Sequence, residues 1–163
     1  NGDDEMNKSQ IIGKCFEERV KLVCDLYRKK GVAVIDKTPE SIRQLGKMDS
    51  HGRFKACYEK KAQPDFKGVY DGMALCFDAK ATESDRFSLS NIAPWQAEYL
   101  SNFRKAGGDA FILLKIKSEV FILDIKRINN LTALGIKSVR PEDFTEGEKV
   151  DTSKGYVDFL GVL

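Results

Sequence analysis

"PDFKGVYDGMALCFDAKAT" occupies residues 64–82, and how it folds decides the architecture of the whole chain. Asp71-Gly72 is a dipeptide suited to the positive φ angles of a two-residue turn, so "FKGVY" and "MALCFDAKAT" are predicted as the arms of a β-hairpin. Period-two alternation sends Leu75, Phe77 and Ala79 to one face and Ala74, Cys76, Asp78 and Lys80 to the other. The first face is expected to be apolar, while the second ends in two opposite charges. Asp78 and Lys80 then project from one side about 6–7 Å apart along the backbone, and the turn folds Asp65 back beside Asp78.

Two carboxylates and a lysine in that arrangement suit metal-assisted phosphodiester hydrolysis. The negative charge of a phosphodiester repels hydroxide. Carboxylate oxygens hold Mg²⁺, which neutralises charge on the phosphoryl group, and a nearby ammonium stabilises it further. A D-x-K triplet alone is common, and its plain reading is a salt-bridged strand facing solvent. Asp65 behind Pro64, the hairpin, and the small Ala74 and Cys76 on the same face make the catalytic reading more specific.

Upstream of the hairpin, the first ten residues are polar and expected to be flexible, with Asn7 or Ser9 able to cap a helix after them. Ile12, Phe16, Val20, Val23 and Tyr27 recur at helical spacing and predict an amphipathic helix over 11–30, closed by Gly31. With Phe16 at zero and about 100° per residue, Glu17 falls near 100°, bordering the apolar stripe, and Glu18 near 200°, facing away. Glu17 is therefore the carboxylate able to reach a site at the domain's edge. "VAVI" (32–35) reads as a strand. Residues 36–63 lack sustained periodicity: a short helical turn is expected in "TPESIRQLG", and a basic helix in "GRFKACYEKKA" (52–62), together forming a protrusion.

Beyond the hairpin, "NIAPWQAEYLSNFRKAGG" predicts a helix over 91–106, capped at Ser90 or Asn91 and stopped by Gly107-Gly108. Gln96 falls on it beside Trp95, where its amide can orient water or simply meet solvent; Trp95 and Tyr99 suit packing on the sheet. Thr82, Ser84 and Arg86 follow the lysine strand and can meet phosphate oxygens as the chain leaves the site. "AFILLKI" and "VFILDI" read as an antiparallel pair joined through Lys117-Ser118, "INNLTALG" as a short helix, and 137–154 as a loop. The expected whole is a single mixed α/β domain over 11–163. His51 is expected to be exposed.

A length of 163 residues with 42% hydrophobic and 10% aromatic content fits one domain with a real core. Four cysteines without a CxxC pair and a single histidine argue against zinc and against a disulfide scaffold. Neither a secretory signal nor an apolar run of about 18 residues occurs, so a reducing cytoplasm is the expected location and no membrane partner is expected. Nucleotide-binding glycine motifs are absent. Residues 14–61 carry 13 Lys/Arg against 7 Asp/Glu within a chain of net charge +2, a concentration able to neutralise several phosphates. An ordinary solvated surface is the plainer account of such charge.

With these residues in place, the chain resembles the RecU family of Holliday junction resolvases of Gram-positive bacteria and their phages, within the restriction-endonuclease-like nuclease superfamily. The resemblance runs through "GKCFEERV", "GVAVIDKTPESI", "DFKGVYDGMALCFDAKAT", "FSLSNIAPWQ" and "GYVDFLGVL". It implies a restriction-endonuclease-like mixed sheet flanked by helices, and a Mg²⁺-dependent homodimer (Mn²⁺ substituting) that nicks four-way DNA junctions symmetrically and leaves 5'-phosphates. It implies Asp65, Asp78, Lys80, Glu17 and Gln96 as catalytic residues. Asp65, Asp78, Glu17 and the Ala79 carbonyl are the expected metal ligands. A basic stalk over about 38–62 would enter the junction, making Lys37, Arg43, Lys47, Arg53, Lys55, Lys60 and Lys61 expected DNA contacts with Thr82, Ser84 and Arg86. Recombinase or branch-migration proteins are further expected partners, and the nucleoid the expected place of action.

The chain departs from the family pattern in several places. Asp78 stands where glutamate is usual, Gln63-Pro64 replace threonines, and Trp95 replaces a histidine. Acidic "GDDE" stands where a basic tail is usual, a compact form suggesting a phage-encoded enzyme. A general or sequence-specific duplex endonuclease and a noncatalytic junction-binding modulator remain the alternatives.

Overall fold

The computed structural model describes residues 2–58 and 63–163. Helix α1 spans Gly2–Lys29, beginning well before the expected residue 11. Its buried stripe is Phe16, Val20, Val23, Cys24 and Tyr27, the spacing that lays one helical face on a sheet. Gly31 turns the chain at φ +67° into β1 (Ala33–Lys37).

Next comes a feature that the periodicity missed. β2 (Ile42–Leu45) and β3 (Lys55–Tyr58) pair antiparallel as a two-stranded ribbon separate from the main sheet. The helical turn expected in "TPESIRQLG" and the basic helix expected in 52–62 are thus both corrected to strands, as far as the described residues go. The reason is local. Asp49 Oδ1 accepts the backbone N–H groups of His51 and Arg53, each at 2.8 Å, and this Asx turn with Gly46 and Gly52 at positive φ reverses the chain.

The hairpin forms as predicted. β4 (Phe66–Tyr70) and β5 (Met73–Thr82) pair antiparallel around Asp71 at φ +48° and Gly72 at φ +74°. After β6 (Phe87–Ser88) and a 3-10 turn at Leu89–Asn91 comes α2, Pro94–Lys105. It starts later than the expected residue 91, because Pro94 keeps Ala93 extended (φ −63°, ψ 147°) and itself suits the first helical position. α2 crosses over to β7 (Asp109–Ile116), which lies parallel to β5, and β8 (Glu119–Asp124) returns antiparallel through Lys117. α3 (Ile125–Ala133) and β9 (Ser138–Val139), paired with β6, come after it.

The main sheet has the order β1-β4-β5-β7-β8. This is the expected mixed central sheet flanked by helices. On one face, α1 covers Leu75, Phe77, Ala79, Phe111 and Leu113 together with Phe159 and Leu160. Phe66, Phe77 and Phe111 are register partners on three adjacent strands, and their rings stack at 4.9 Å in both steps, the spacing of the strands themselves. Each such pair contributes about 0.5–1.5 kcal/mol beyond its burial.

The opposite face needs a correction. Cys76 is buried there with Leu100, Ala110, Ile112, Leu114 and Leu123 beneath α2 and α3, so the face that carries Asp78 is apolar too, as expected of a strand paired in parallel and covered on both sides. The Phe111–Ile125 hairpin is almost entirely committed to the two cores, with Phe111, Leu113, Val120 and Ile122 in the first and Ile112, Leu114 and Leu123 in the second. The tail returns to α1, where the Tyr27 hydroxyl donates to Asp158 Oδ1 at 2.8 Å and accepts the Leu160 N–H at 3.3 Å.

Candidate active site

β5 outruns its neighbour. The β4–β5 ladder ends at Phe66 opposite Phe77, while β5 continues beside β7 as far as Thr82 opposite Ile116. Pro64, one residue before Asp65, has no N–H with which to extend the ladder. From Asp78 onward one edge of β5 therefore lacks a strand partner among the described residues, and side-chain carboxylates take over the pairing. Asp65 N–H donates to Asp78 Oδ1 at 3.0 Å, and Ala79 N–H donates to Asp65 Oδ2 at 3.1 Å.

This clasp is buried: Asp65 is 3% exposed and Asp78 0%. Among the described residues, Asp78 Oδ2 and Thr38 Oγ1 are the buried side-chain atoms that lack a hydrogen-bond partner. They lie on either side of Asp65, since Thr38 N–H donates to the Asp65 carbonyl at 2.8 Å. Burial, and next the charge of Asp65, push the Asp78 carboxyl up to about 7, against the opposing pull of the Asp65 N–H and Lys80. A buried carboxylate oxygen without a donor is costly, and a cation is the partner that such an oxygen suits. The Ala79 N–H points to the open edge, and in a strand the N–H and C=O of one residue point the same way, so the Ala79 carbonyl belongs to that edge as well. The donor set present, hard oxygens only, fits Mg²⁺ or Mn²⁺.

Glu17 and Lys80 line one cavity of about 370 Å³ with Gly13, Ala79, Phe87 and Asn91, at the edge where the two sheet faces meet. The helical phase of the two glutamates is as expected, with side chains 24% exposed for Glu17 and 60% for Glu18. Yet Glu17 is turned to Lys37, at 3.2 Å, and Lys37 also lies 3.3 Å from Glu18. Among the described residues no group of three or more His, Cys, Asp or Glu side chains gathers. The structure thus joins Asp65 to Asp78 and Glu17 to Lys80, but not three carboxylates in one cluster.

Gln96 is 6% exposed, and its Oε1 accepts the Ala93 N–H at 2.9 Å. Its observed contact is the cap of α2. Thr82 Oγ1 accepts the Ser84 N–H at 3.1 Å, and Ser84 and Arg86 are exposed beyond the end of β5. Arg43, Lys47, Arg53 and Lys55 are exposed on the ribbon and its loop, away from the carboxylate pair in sequence and sheet. Lys60 and Lys61 lie outside the described residues. Thr38 is the site neighbour that pattern reading missed: its place is set by the β1–β4 register, Lys37 opposite Phe66, which no local motif announces.

The family model "Recombination protein U" (RecU) matches residues 12–163. A protein named Holliday junction resolvase RecU from Mycoplasmopsis pulmonis (strain UAB CTIP) is 30% identical over 94% of this chain and 92% of its own length. One of the same name from Bacillus thuringiensis (strain Al Hakam) is 28% identical over 93% of this chain and 82% of its own. Another, from Pediococcus pentosaceus, is 36% identical over 70% of this chain and 60% of its own. Among solved structures, Archaeoglobus fulgidus Hjc, a Holliday junction resolvase, aligns with a TM-score of 0.43 and 15% identity over 70% of this chain and 78% of that one. With the family model spanning the helix, the carboxylate clasp and the tail alike, the chain belongs to the recombination protein U family.

Proposed function

We propose that the protein is a metal-dependent, structure-selective DNA endonuclease that resolves four-way junctions by paired symmetric nicks, leaving 5'-phosphate and 3'-hydroxyl ends. The observation that carries this reading is the Asp65–Asp78 clasp, with the buried Asp78 Oδ2 left without a hydrogen-bond partner among the described residues and Lys80 two residues on. The family match and the relatives named Holliday junction resolvases support the choice of substrate.

Asp65, Asp78 and the Ala79 carbonyl are the residues that would hold Mg²⁺, with Glu17 joining once it leaves Lys37. Bound there, the ion would supply charge neutralisation at the phosphoryl oxygens and acidify water. The clasp fixes both aspartates through backbone N–H groups, so their geometry is set before DNA arrives. Lys80, in the same cavity as Glu17, places an ammonium where negative charge grows on the phosphoryl oxygens and helps to position the attacking water. Gln96, committed to the α2 cap, acts as a positioning residue. The ribbon cations contact phosphates near the crossover. Two matched cuts call for two sites at a fixed separation, which a twofold homodimer supplies.

The test compares an end-labelled four-way junction with linear duplex of the same sequence, with and without Mg²⁺, for wild type, Asp78→Asn and Lys80→Ala. Paired nicks confined to the junction, dependent on metal and reduced at least a hundredfold in both variants with binding retained, are expected. Equal cutting of linear duplex would instead make the protein a general endonuclease, and tight junction binding without cleavage in Mg²⁺ or Mn²⁺ a junction-binding modulator.

A further inference from the structure

A second basic site lies across α1 from the carboxylate clasp. Arg19 of α1, Lys115 near the end of β7, and Lys117 and Ser118 of the β7–β8 turn surround a shallow cavity of about 610 Å³ together with Glu83. None of these belongs to the ribbon or to the loop residues expected to meet DNA. The helical phase explains the separation: with Glu17 near +100° from the buried Phe16, Arg19 falls near −60°, so the two side chains leave opposite edges of the apolar stripe. Lys115 is the register partner of Ala81, which places it on the α1 face of the sheet beside Arg19.

The cavity is tied to the strand that bears the clasp. Lys117 N–H donates to the Thr82 carbonyl at 2.8 Å, and Lys117 adopts φ +53°, a conformation rare for a side-chain-bearing residue that the β7–β8 turn holds in place. Lys115 Nζ is 3.0 Å from Glu83 Oε1, its side chain only 18% exposed. Three cations from three elements thus converge on one concavity against a single carboxylate. A surface whose charges only solvate the fold has no need of that convergence.

We propose that this cavity is a phosphate-backbone subsite that grips a DNA arm on the far side of α1 from the cutting centre. From Asp78 to Thr82 the strand advances about 13 Å, so the phosphates held here stand clear of the scissile one. Arg19 and Lys117, both exposed, supply the main contacts, and Ser118 offers a hydroxyl. Glu83 competes with the phosphate for Lys115, which sets the strength of the grip. The proposal rests on the nuclease reading for its geometry, but its chemistry is phosphate binding and can be measured on uncut DNA.

The test is binding of the full chain to linear duplex and to a four-way junction in EDTA, across a salt series, for wild type, Arg19→Gln/Lys117→Gln, Arg19→Lys/Lys117→Arg and Glu83→Gln. The neutralised pair is expected to bind both DNAs about tenfold more weakly, with the log–log salt slope shallower by about 1.8. The charge-conserving pair should remain within about threefold of wild type, and Glu83→Gln should bind more tightly. Opposite signs from the two neutralising changes exclude simple unfolding. An unchanged slope in Arg19→Gln/Lys117→Gln, or no gain in Glu83→Gln, overturns the subsite. A wild type that binds in EDTA but leaves the junction uncut when Mg²⁺ or Mn²⁺ is added would defeat the nuclease reading and leave this result standing.

Discussion

The Asp65–Asp78 pair shows how far residue identity alone can go. The hairpin turn and period-two alternation place the two aspartates side by side, and the structure adds that each carboxylate is held by the other's neighbourhood through backbone N–H groups. Spacing does not reveal that Asp78 Oδ2 is sealed from solvent without a donor among the described residues, because burial depends on helices far away in the chain. Its consequence concerns stability. The folded Asp78 carboxyl, pushed up to about 7, lies above its ordinary 3.8, so its stabilising contribution is complete only below the ordinary value and is lost as pH rises through about 7. In EDTA, Asp78→Asn should therefore be more stable than wild type at pH 8, by an amount on the order of 2–4 kcal/mol, and by much less at pH 5. Added Mg²⁺ should raise the melting temperature of wild type at pH 8 and leave the variant nearly unmoved. Scanning calorimetry at the two pH values checks both; a variant less stable than wild type at pH 8 would remove the argument for a strained carboxylate.

Among the elements, α2 shows pattern reading succeeding in kind and failing at a boundary. Its apolar spacing announces a helix, but Pro94 sets the start, and Gln96 caps it by accepting the Ala93 N–H. Gln96→Ala should cost about 1 kcal/mol as a lost cap, lowering the melting temperature by about 2–4 °C for a chain of this size. Thermal melts read this directly, and an unchanged melting temperature would mean that the cap carries no stability. The ribbon shows the opposite failure. Residues 52–62 contain enough lysine and aromatic character to suggest a basic helix, yet over the described part of that stretch the Asx turn at Asp49 closes a hairpin, and a turn side chain of that kind leaves little trace in hydrophobic periodicity. Gly68 is a constraint of the same kind: a Cβ there would lie 2.1 Å from the Val34 carbonyl oxygen, so β1 and β4 approach as they do only because that position has no side chain.

At the scale of the whole molecule, the proposed DNA contacts fall in two basic regions, the ribbon and the groove lined by Arg19, Lys115 and Lys117. The ribbon stands apart from the main sheet; in the proposed function it enters the open centre of a branched substrate, and in the proposed subsite the groove holds a duplex arm. Arg43→Gln/Lys55→Gln should accordingly weaken junction binding by about tenfold while changing linear duplex binding by less than about threefold. Competition binding of the two DNAs distinguishes this from a loss shared equally by both, which would make the ribbon a nonspecific contact. The amphipathic first helix, the Asp71-Gly72 hairpin, the common side of Asp78 and Lys80, and the helical phase that leaves Glu17 less exposed than Glu18 were all legible in the chain before it folded, because each rests on periodicities or turn chemistry acting within about ten residues. That β5 outruns β4, that Thr38 sits against Asp65, that Glu17 is held by Lys37, and that three cations meet across α1 emerged only in three dimensions. Those placements depend on strand order and register between segments distant in the chain, and nothing local encodes which segments will meet.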